Sequence, residues 1–487
     1  MNVFEFFRKN EIDTVHSSFF REIEKWRSWY KGDVKTFHHY KVHNGNGYIK
    51  CKRRSLQMAK KVCEDIADLL LNEKVSITLT DEITQEFVDR VLKDNDFWTV
   101  GNEYQERKAA TGTVAYVAIL NNAAVDDEGH ILRGDVEINY VEASNIYPLS
   151  WRNNKITECA FMFSHTIKQK KYAQFQFHQI EAVSGERQYV ITNRVVLCSS
   201  GAGEEIPPEL WGRLPPFADL SPRIETGTEE PQFVIDRLNI VNNIDDESNP
   251  MGISIFANSI PTLEKIDLEY DSYANEYELG KKRIFVKGEA MNYINGNTYF
   301  DPNDVVFHQL PTDTEFGEKS GRMIEESNME IRAEAHSKGI NDDLNFLSFK
   351  CGYGTERYKF EKGTVTTATQ VISENSDMYR TIKKHELILD DVLKELVHII
   401  IRLGATAGNK GLNEEAEVTI DFDDSIIEDK QTERQEDRND VAMGVMRHEE
   451  YRAKWYGETT EKAAENLPEQ NAVMDDEVRI QKKSAEP

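Results

Sequence analysis

The sequence predicts an α+β chain in which strands and helices occupy separate stretches. Three observations carry this. Residues 105–200 hold five short runs of β-branched and aromatic residues, separated by turn signals. Amphipathic helical patterns flank that block on both sides. The longest apolar stripe in the chain, over about Thr367 to Leu403, recurs at three- and four-residue steps. Strands grouped together and helices grouped together indicate α+β and not an alternating α/β order.

Taken in order, residues 1–30 read as helical, with aromatics throughout, and Lys31-Gly32-Asp33 breaks the pattern. Residues 36–49 read as a loop containing two Asn-Gly pairs. A strong amphipathic helix follows, with Leu56, Ala59, Val62, Cys63, Ile66, Leu69 and Leu70 on one face and charged residues on the other. Val75 to Leu79 alternates like a strand, and a helix is predicted from about Thr84 to Lys93. The β block comprises Val114–Leu120, Asp135–Glu142, Thr157–Phe163, Lys171–His178 and Gln188–Leu197. Residues 201–231 gather prolines and glycines and read as a linker or extended arm.

In the second half, Phe256, Ile260, Leu263, Ile266, Tyr270, Tyr273 and Tyr277 follow helical steps to Gly280, which reads as the stop. Pro261 places the start, or a kink, near that position. A β-rich piece covers Arg283 to about Leu310. A helical stretch then runs from about Met323 to Leu347, with Gly339 interrupting it. A Gly- and Lys-containing loop, about Phe349 to Val365, precedes the long helix. Glu417–Phe422 alternates as a single strand, and Ser425–Pro487 is acidic and mostly helical in pattern.

Bulk numbers narrow the function classes. The chain has 487 residues, room for two or three domains or one elongated multi-part subunit. At 39% hydrophobic and 30% charged it lies outside the disordered regime. No apolar run is long enough to span a membrane, and the N-terminus lacks the pattern of a signal peptide, so a cytosolic protein is expected. The five cysteines are odd in number and widely spaced, which argues against a disulfide framework or a zinc site. A net charge of −27 argues against tight DNA binding, because affinity comes from neutralising phosphates. An acidic wall could still surround a duplex and let it slide.

Most enzymatic motifs are missing. There is no GxxxxGK[ST] phosphate cradle, no HExxH and no GxSxG. Asp421, Asp423 and Asp424 could hold Mg²⁺ for phosphoryl chemistry, but an acidic strand end with a helix cap is the plainer reading. His38, His39 and His43 match no metal-ligand spacing and read as a solvated loop. Lys50, Lys52, Arg53 and Arg54 read as a helix start or as salt-bridge partners before they read as a DNA contact. Lys350, Tyr353, Arg357, Tyr358, Lys359 and Lys362 lie in a glycine-containing loop with local positive charge. That loop is either an ordinary mobile surface loop or a weak, sequence-blind phosphate contact. Tyr270, Tyr273 and Tyr277 read as a packing face, here between subunits. The run Glu414–Asp440 holds twelve acidic and three basic residues and reads as a solvated face. No catalytic residue, metal or cofactor is expected.

Four phrases together resemble the portal protein family of tailed bacteriophages, of the siphovirus type found in Gram-positive hosts. They are Arg53–Glu73, Gly252–Val286, Gly363–Glu386 centred on Thr366–Val371, and Asp421–Gly457. They span nearly the whole chain in family order. The resemblance implies an elongated subunit with a wing at 1–250, a stem helix at 251–282 and a clip at 283–320. A second stem helix would follow at 321–348 and a tunnel loop facing DNA at 349–366. A long kinked helix running from the channel to the wing, with a strand, would occupy 367–424, and a crown 425–487. It further implies a ring of about twelve copies, packed partly through Leu389 and Leu396 of the long helix. Double-stranded DNA would pass through without sequence preference. Terminase large subunit, a head–tail adaptor, and major capsid and scaffolding proteins are the implied partners. The implied location is the portal vertex of the virion, after assembly in the host cytoplasm. The rivals are another phage head or neck protein and a Mg²⁺-dependent nuclease built on the Asp421 cluster.

Overall fold

The computed structural model describes residues 1–43, 45–72, 75–125, 131–246, 248–287, 307–310, 324–358, 368–422, 430–456 and 460–467. Two compact units emerge, one from residues 1–366 and 374–422, the other from 367–373 and 423–487. Helix and strand are both abundant and the sheets are open, so the α+β class stands.

The first unit opens with α1 (Val3–Lys9) and α2 (Ser17–Tyr30), two helices where the pattern predicted one. Asn2 caps α1, its side-chain oxygen accepting from the Phe4 N–H at 3.1 Å. Helix α2 buries Phe19, Phe20, Ile23, Trp26 and Trp29. The stretch predicted as a loop forms α3 (Lys35–His38) and a hairpin of β1 (His39–His43) and β2 (Tyr48–Lys52). The amphipathic helix α4 (Met58–Leu70) and the short strand β3 (Ser76–Leu79) follow. Asp81 caps α5 (Glu82–Asp94) by accepting from the Thr84 N–H at 2.8 Å.

Helix α6 (Phe97–Thr111) was not predicted. Its inward face carries Gly101, Gln105 and Lys108, so it shows no apolar stripe. Gly112 ends it at φ +87°, where a side chain would strike the Gly252 carbonyl.

The β block forms two antiparallel sheets. One orders β12 (Phe233–Arg237), β4 (Thr113–Val125) and β5 (Ile131–Glu142). The other runs from β6 (Ile146–Arg152) through β7 (Lys155–Ile167), β8 (Lys170–Val183) and β9 (Glu186–Leu197) to β10 (Glu204–Ile206), with β11 (Arg223–Glu225) also on β9. The predicted linker at 201–231 is therefore a folded cover. Its Trp211 and Phe217 are buried in one cluster with Tyr172 and Val195 of the sheet.

Helix α7 (Ile260–Leu279) begins with Pro261 in its first turn and ends at Gly280, as the pattern predicts. A three-stranded sheet follows, with β13 (Arg283–Lys287) parallel to β14 (Phe307–Leu310) and antiparallel to β15 (Ile324–Ser327). The predicted helix start near Met323 is thus corrected. Residues 324–327 are a strand, and α8 (Ala333–Lys350) begins later and runs through Gly339 unbroken. Helix α9 (Ala368–Thr406), the longest described, has 39 residues. Ile382, Leu389, Val392, Leu393, Leu396, Val397 and Ile399–Ile401 of its stripe are buried within this chain. Strand β16 (Val418–Asp421) closes the unit by pairing with β3.

In the second unit, α10 (Lys430–Met443) packs on α11 (His448–Tyr456), which α12 (Thr460–Glu465) follows. Asp437 accepts from Lys454 at 2.8 Å and from the Trp455 indole at 2.7 Å. Arg434 and Arg438 both donate to the Tyr451 hydroxyl.

Candidate functional site, a helix pair and the loop beside it

Helices α7 and α8 run antiparallel, fixed by a ladder of polar contacts. At one end the Lys350 ammonium donates to the Asn258 carbonyl at 2.6 Å. Lys265 bonds Asp343 at 2.8 Å in the middle. At the far end Glu276 accepts from the Arg332 side chain at 2.7 Å and backbone N–H at 2.9 Å, and lies 3.2 Å from His336. These hydrogen bonds to Arg332, side chain first, hold the Glu276 carboxyl down at about 2. His336 also stacks on Tyr273, ring centroids 5.2 Å apart.

Midway along, Glu269 and Asp343 lie together on facing helices, and Gly339 leaves room for the Glu269 carboxylate. Burial, and then the Asp343 charge, push the Glu269 carboxyl upward.

The middle of α7 is anchored to the segment before α4 by two aspartates one turn apart. Asp267 accepts from the Leu56 N–H at 2.8 Å and pairs with buried His38 at 3.0 Å. The Val34 N–H donates to His38 Nδ1 at 2.8 Å, so Nε2 carries the ring proton toward Asp267. Asp271 accepts from the Arg54 backbone and guanidinium, and Arg54 reaches Asn275 and Glu278 as well. Arg53 lies over the rings of Phe37 and Tyr40 and donates to the Phe37 carbonyl. Arg53 and Arg54 of the basic cluster are therefore held by this chain's own carboxylates and aromatics, and Lys52 pairs with Asp33 at 3.0 Å. Sequence reasoning missed Asp267 and Asp271. Their signal was two carboxylates, four residues apart, set among Leu263, Ile266 and Tyr270 of an otherwise apolar stripe.

After α8 the chain turns back through Cys351–Tyr358. Two of the residues expected to face DNA are turned inward here. Tyr353 is buried and its hydroxyl donates to the Val62 carbonyl of α4 at 2.9 Å. Tyr358 is also buried, next to Asp65. Burial comes first among the causes that push both phenols upward. Both side chains thus serve packing because the loop base folds onto α4. Arg357 lies 3.6 Å from Asp65, and Lys350 is exposed. Lys359 and Lys362 lie outside the described residues.

The expected subunit-packing residues divide in the same way. Leu389 and Leu396 are buried within the chain, which leaves them no area for a neighbour. Tyr277 is half exposed, and its hydroxyl lies 3.1 Å from that of Tyr273, while Tyr270 is partly covered. Of the acidic cluster, Asp421 pairs with Ser76 between β16 and β3, and Asp423 and Asp424 lie outside the described residues. Among the described residues no group of three His, Cys, Asp or Glu side chains is placed to hold a metal ion. None of the described helices is long and apolar enough to cross a membrane.

A family model described as phage portal protein, SPP1 Gp6-like, matches residues 9–473. No curated protein matches the chain. Among solved structures, the chain is similar to one in the "Neck of native GTA particle computed with C12 symmetry". The TM-score is 0.41 at 10% identity, covering 81% of this chain and 88% of that chain.

Proposed function

Because the chain belongs to the SPP1 Gp6-like family of phage portal proteins, we propose that it forms a ring of about twelve copies at the capsid portal vertex, through which double-stranded DNA is packaged, retained and ejected. The observation that carries this reading is the family match over residues 9–473, nearly the whole chain. The family is structural, and the role is that of a conduit with an external motor as energy source.

In this reading the described elements take the parts that the resemblance implies. Residues 1–250 form the wing, α7 and α8 the stem, and β13–β15 the clip. The long helix leads from the channel back to the wing, and residues 425–487 form the crown. The clip docks the terminase large subunit and later the head–tail adaptor; capsid and scaffolding proteins surround the ring. Lys350, Arg357, Lys359 and Lys362 offer weak, sequence-blind contacts to phosphate, while Tyr270 and Tyr277 are left for a neighbouring subunit. The net charge of −27 supports a wall that repels phosphate, so that the duplex slides.

The test is native mass spectrometry of the purified 56.1 kDa chain, with negative-stain imaging. The expected species is a closed ring of about twelve subunits with a hole of roughly 20 Å or more. A chain that stays monomeric, alone and with scaffolding protein, and that cleaves phosphodiesters with Mg²⁺, would overturn the reading in favour of a nuclease.

A further inference from the structure

Helices α7 and α8 keep one register along their length. Asn258 meets Lys350, Lys265 meets Asp343, and Glu276 meets Arg332. In that register Glu269 stands opposite Gly339, where an added Cβ would lie 3.1 Å from Glu269 Oε2. Asp343 follows Gly339 by one turn, and Lys265 precedes Glu269 by one turn. Two carboxylates therefore meet one ammonium between the helices. Lys265 Nζ lies 2.8 Å from Asp343 Oδ1 and 3.6 Å from Glu269 Oε1.

The other two carboxylate oxygens need an account. Glu269 Oε2 and Asp343 Oδ2 are both buried, and neither has a hydrogen-bond partner among the described residues. The Asp343 side chain is only 3% exposed. The two side chains nevertheless lie within hydrogen-bonding reach of each other. Ionised carboxylates are acceptors only, so as two anions they cannot satisfy one another. A buried acceptor without a donor costs stability, and a like charge beside it costs more. A single proton removes both penalties. The acid O–H donates, the carboxylate accepts, and Lys265 balances the one charge that remains.

Neighbouring ionic groups are engaged elsewhere. Further along the pair, Arg332 and His336 lie against Glu276. On another side of α7, His38 and Arg54 pair with Asp267 and Asp271. Lys338 and Asp342 of α8 are exposed to solvent.

We propose that Glu269 and Asp343 share one proton, carried by Glu269 and donated to Asp343, and that this bond is a pH-sensitive clamp between α7 and α8. Glu269 takes the proton from solvent and returns it there as pH rises, while Lys265 keeps its own. Burial, and then the Asp343 charge, raise the Glu269 carboxyl, which is the direction that sharing requires. An unfolded glutamate releases its proton near about pH 4.3. The clamp is therefore fully present below that pH, weakens as pH rises, and is lost above the raised folded value. The contact lies within one chain, so it holds whether or not copies assemble into a ring.

Infrared difference spectra of wild type against Glu269→Gln, from about pH 4 to about pH 9, test the shared proton. The expected result is the carbonyl band of a protonated carboxyl group that Glu269→Gln abolishes, with a midpoint above the ordinary glutamate value. Asp343→Asn removes a like charge and should lower that midpoint, whereas Lys265→Met removes an opposite charge and should raise it. Hydrogen exchange along α7 and α8, corrected for the intrinsic rate, reads the clamp itself. Wild-type exchange should accelerate by up to about tenfold per pH unit across the window. Glu269→Gln, whose amide N–H donates to Asp343 at every pH, should stay flat. A midpoint at or below the ordinary glutamate value would overturn the proposal, leaving two anions bridged by Lys265 alone. Exchange in Glu269→Gln that tracks the wild-type curve with pH would overturn the clamp in the same way.

Discussion

Buried titratable side chains govern how this protein responds to pH. His178 lies between the rings of Phe161 and Phe233, with no hydrogen-bond partner among the described residues at either nitrogen, and burial holds its pKa down at about 3. His385 of α9 accepts from the Asn239 N–H, and burial, then the nearby Lys108 charge, bring it to about 3 as well. An unfolded histidine titrates near 6.5. The unfolded state therefore takes up protons first, and stability is fully present above about pH 6.5 and declines as pH falls toward 3. Each histidine should cost about 2 kcal/mol at pH 5 relative to pH 7.5, on the order of 1.4 kcal/mol per unit below 6.5. Urea unfolding at the two pH values checks this, and a His178→Phe variant should show a shallower decline. Equal free energies at both would refute it. The buried pair of Lys108 with Asp236, at 2.9 Å, gives a second test. Asp236 also accepts from Gln105 at 2.7 Å. Lys108→Met leaves a buried carboxylate without its cation and should cost about 3–5 kcal/mol. Lys108→Met/Asp236→Leu removes both charges and should recover much of that. Chemical denaturation distinguishes the two, and a single variant as stable as the double would show that the pair is not the anchor.

At the scale of elements, the turn after α8 is fixed by one glycine. Gly352 has φ +85°, and a Cβ there would lie 2.5 Å from the Thr381 hydroxyl oxygen, which itself donates to the Gly352 carbonyl at 2.8 Å. Gly352→Ala meets both a left-handed backbone and a clash, and should destabilise by about 1–3 kcal/mol. Tyr353→Phe removes only the hydroxyl bond to Val62 and should cost about 1 kcal/mol. Melting curves that reverse this order would show that α9 does not hold the turn. The contrast also explains what was legible in the sequence. Helix α7 was readable to its caps because its stripe, Pro261 and Gly280 are all local signals. Helix α6 was not, since the side chains it buries include Gln105 and Lys108, whose partner Asp236 lies far along the chain. Residues 324–327 read as helix from local pattern because their strand partner, β13, is about forty residues away. Trp211 and Phe217 sat in a stretch rich in proline and glycine that read as a linker, yet they dock on a sheet formed earlier. Gly352 and Gly354 suggested an open loop in the same way, while Asp65 and Val62, which receive it, stand nearly three hundred residues upstream. Local periodicity located the helices; long-range polar pairing decided which faces were free.

For the whole molecule the decisive quantity is charge, and it separates surrounding DNA from binding it. A protein that neutralises phosphates releases counterions, so its affinity rises steeply as salt falls. A chain at −27, in which Arg54, Lys108, Lys265 and Arg332 pair with its own carboxylates and Arg53 lies over Phe37 and Tyr40, meets phosphate with an excess of like charge. The assembled protein should therefore show no duplex binding tighter than about 100 μM at physiological salt, and a slope of affinity against salt near zero. Both values are weaker than ordinary non-specific DNA binding, which has dissociation constants of roughly 10⁻⁴–10⁻⁶ M and a strong salt dependence. Fluorescence anisotropy with a labelled duplex, repeated from low to high salt, measures both. Flat, weak curves are what the proposed sliding channel requires, because a duplex that moves past contacts repeated by every subunit cannot be held firmly at each. A steep slope would instead mean several phosphate contacts per ring. A Lys41→Glu/Lys50→Glu variant of the β1–β2 hairpin would then show whether that hairpin supplies them: loss of the slope would place DNA there, and persistence would turn attention to Lys359 and Lys362.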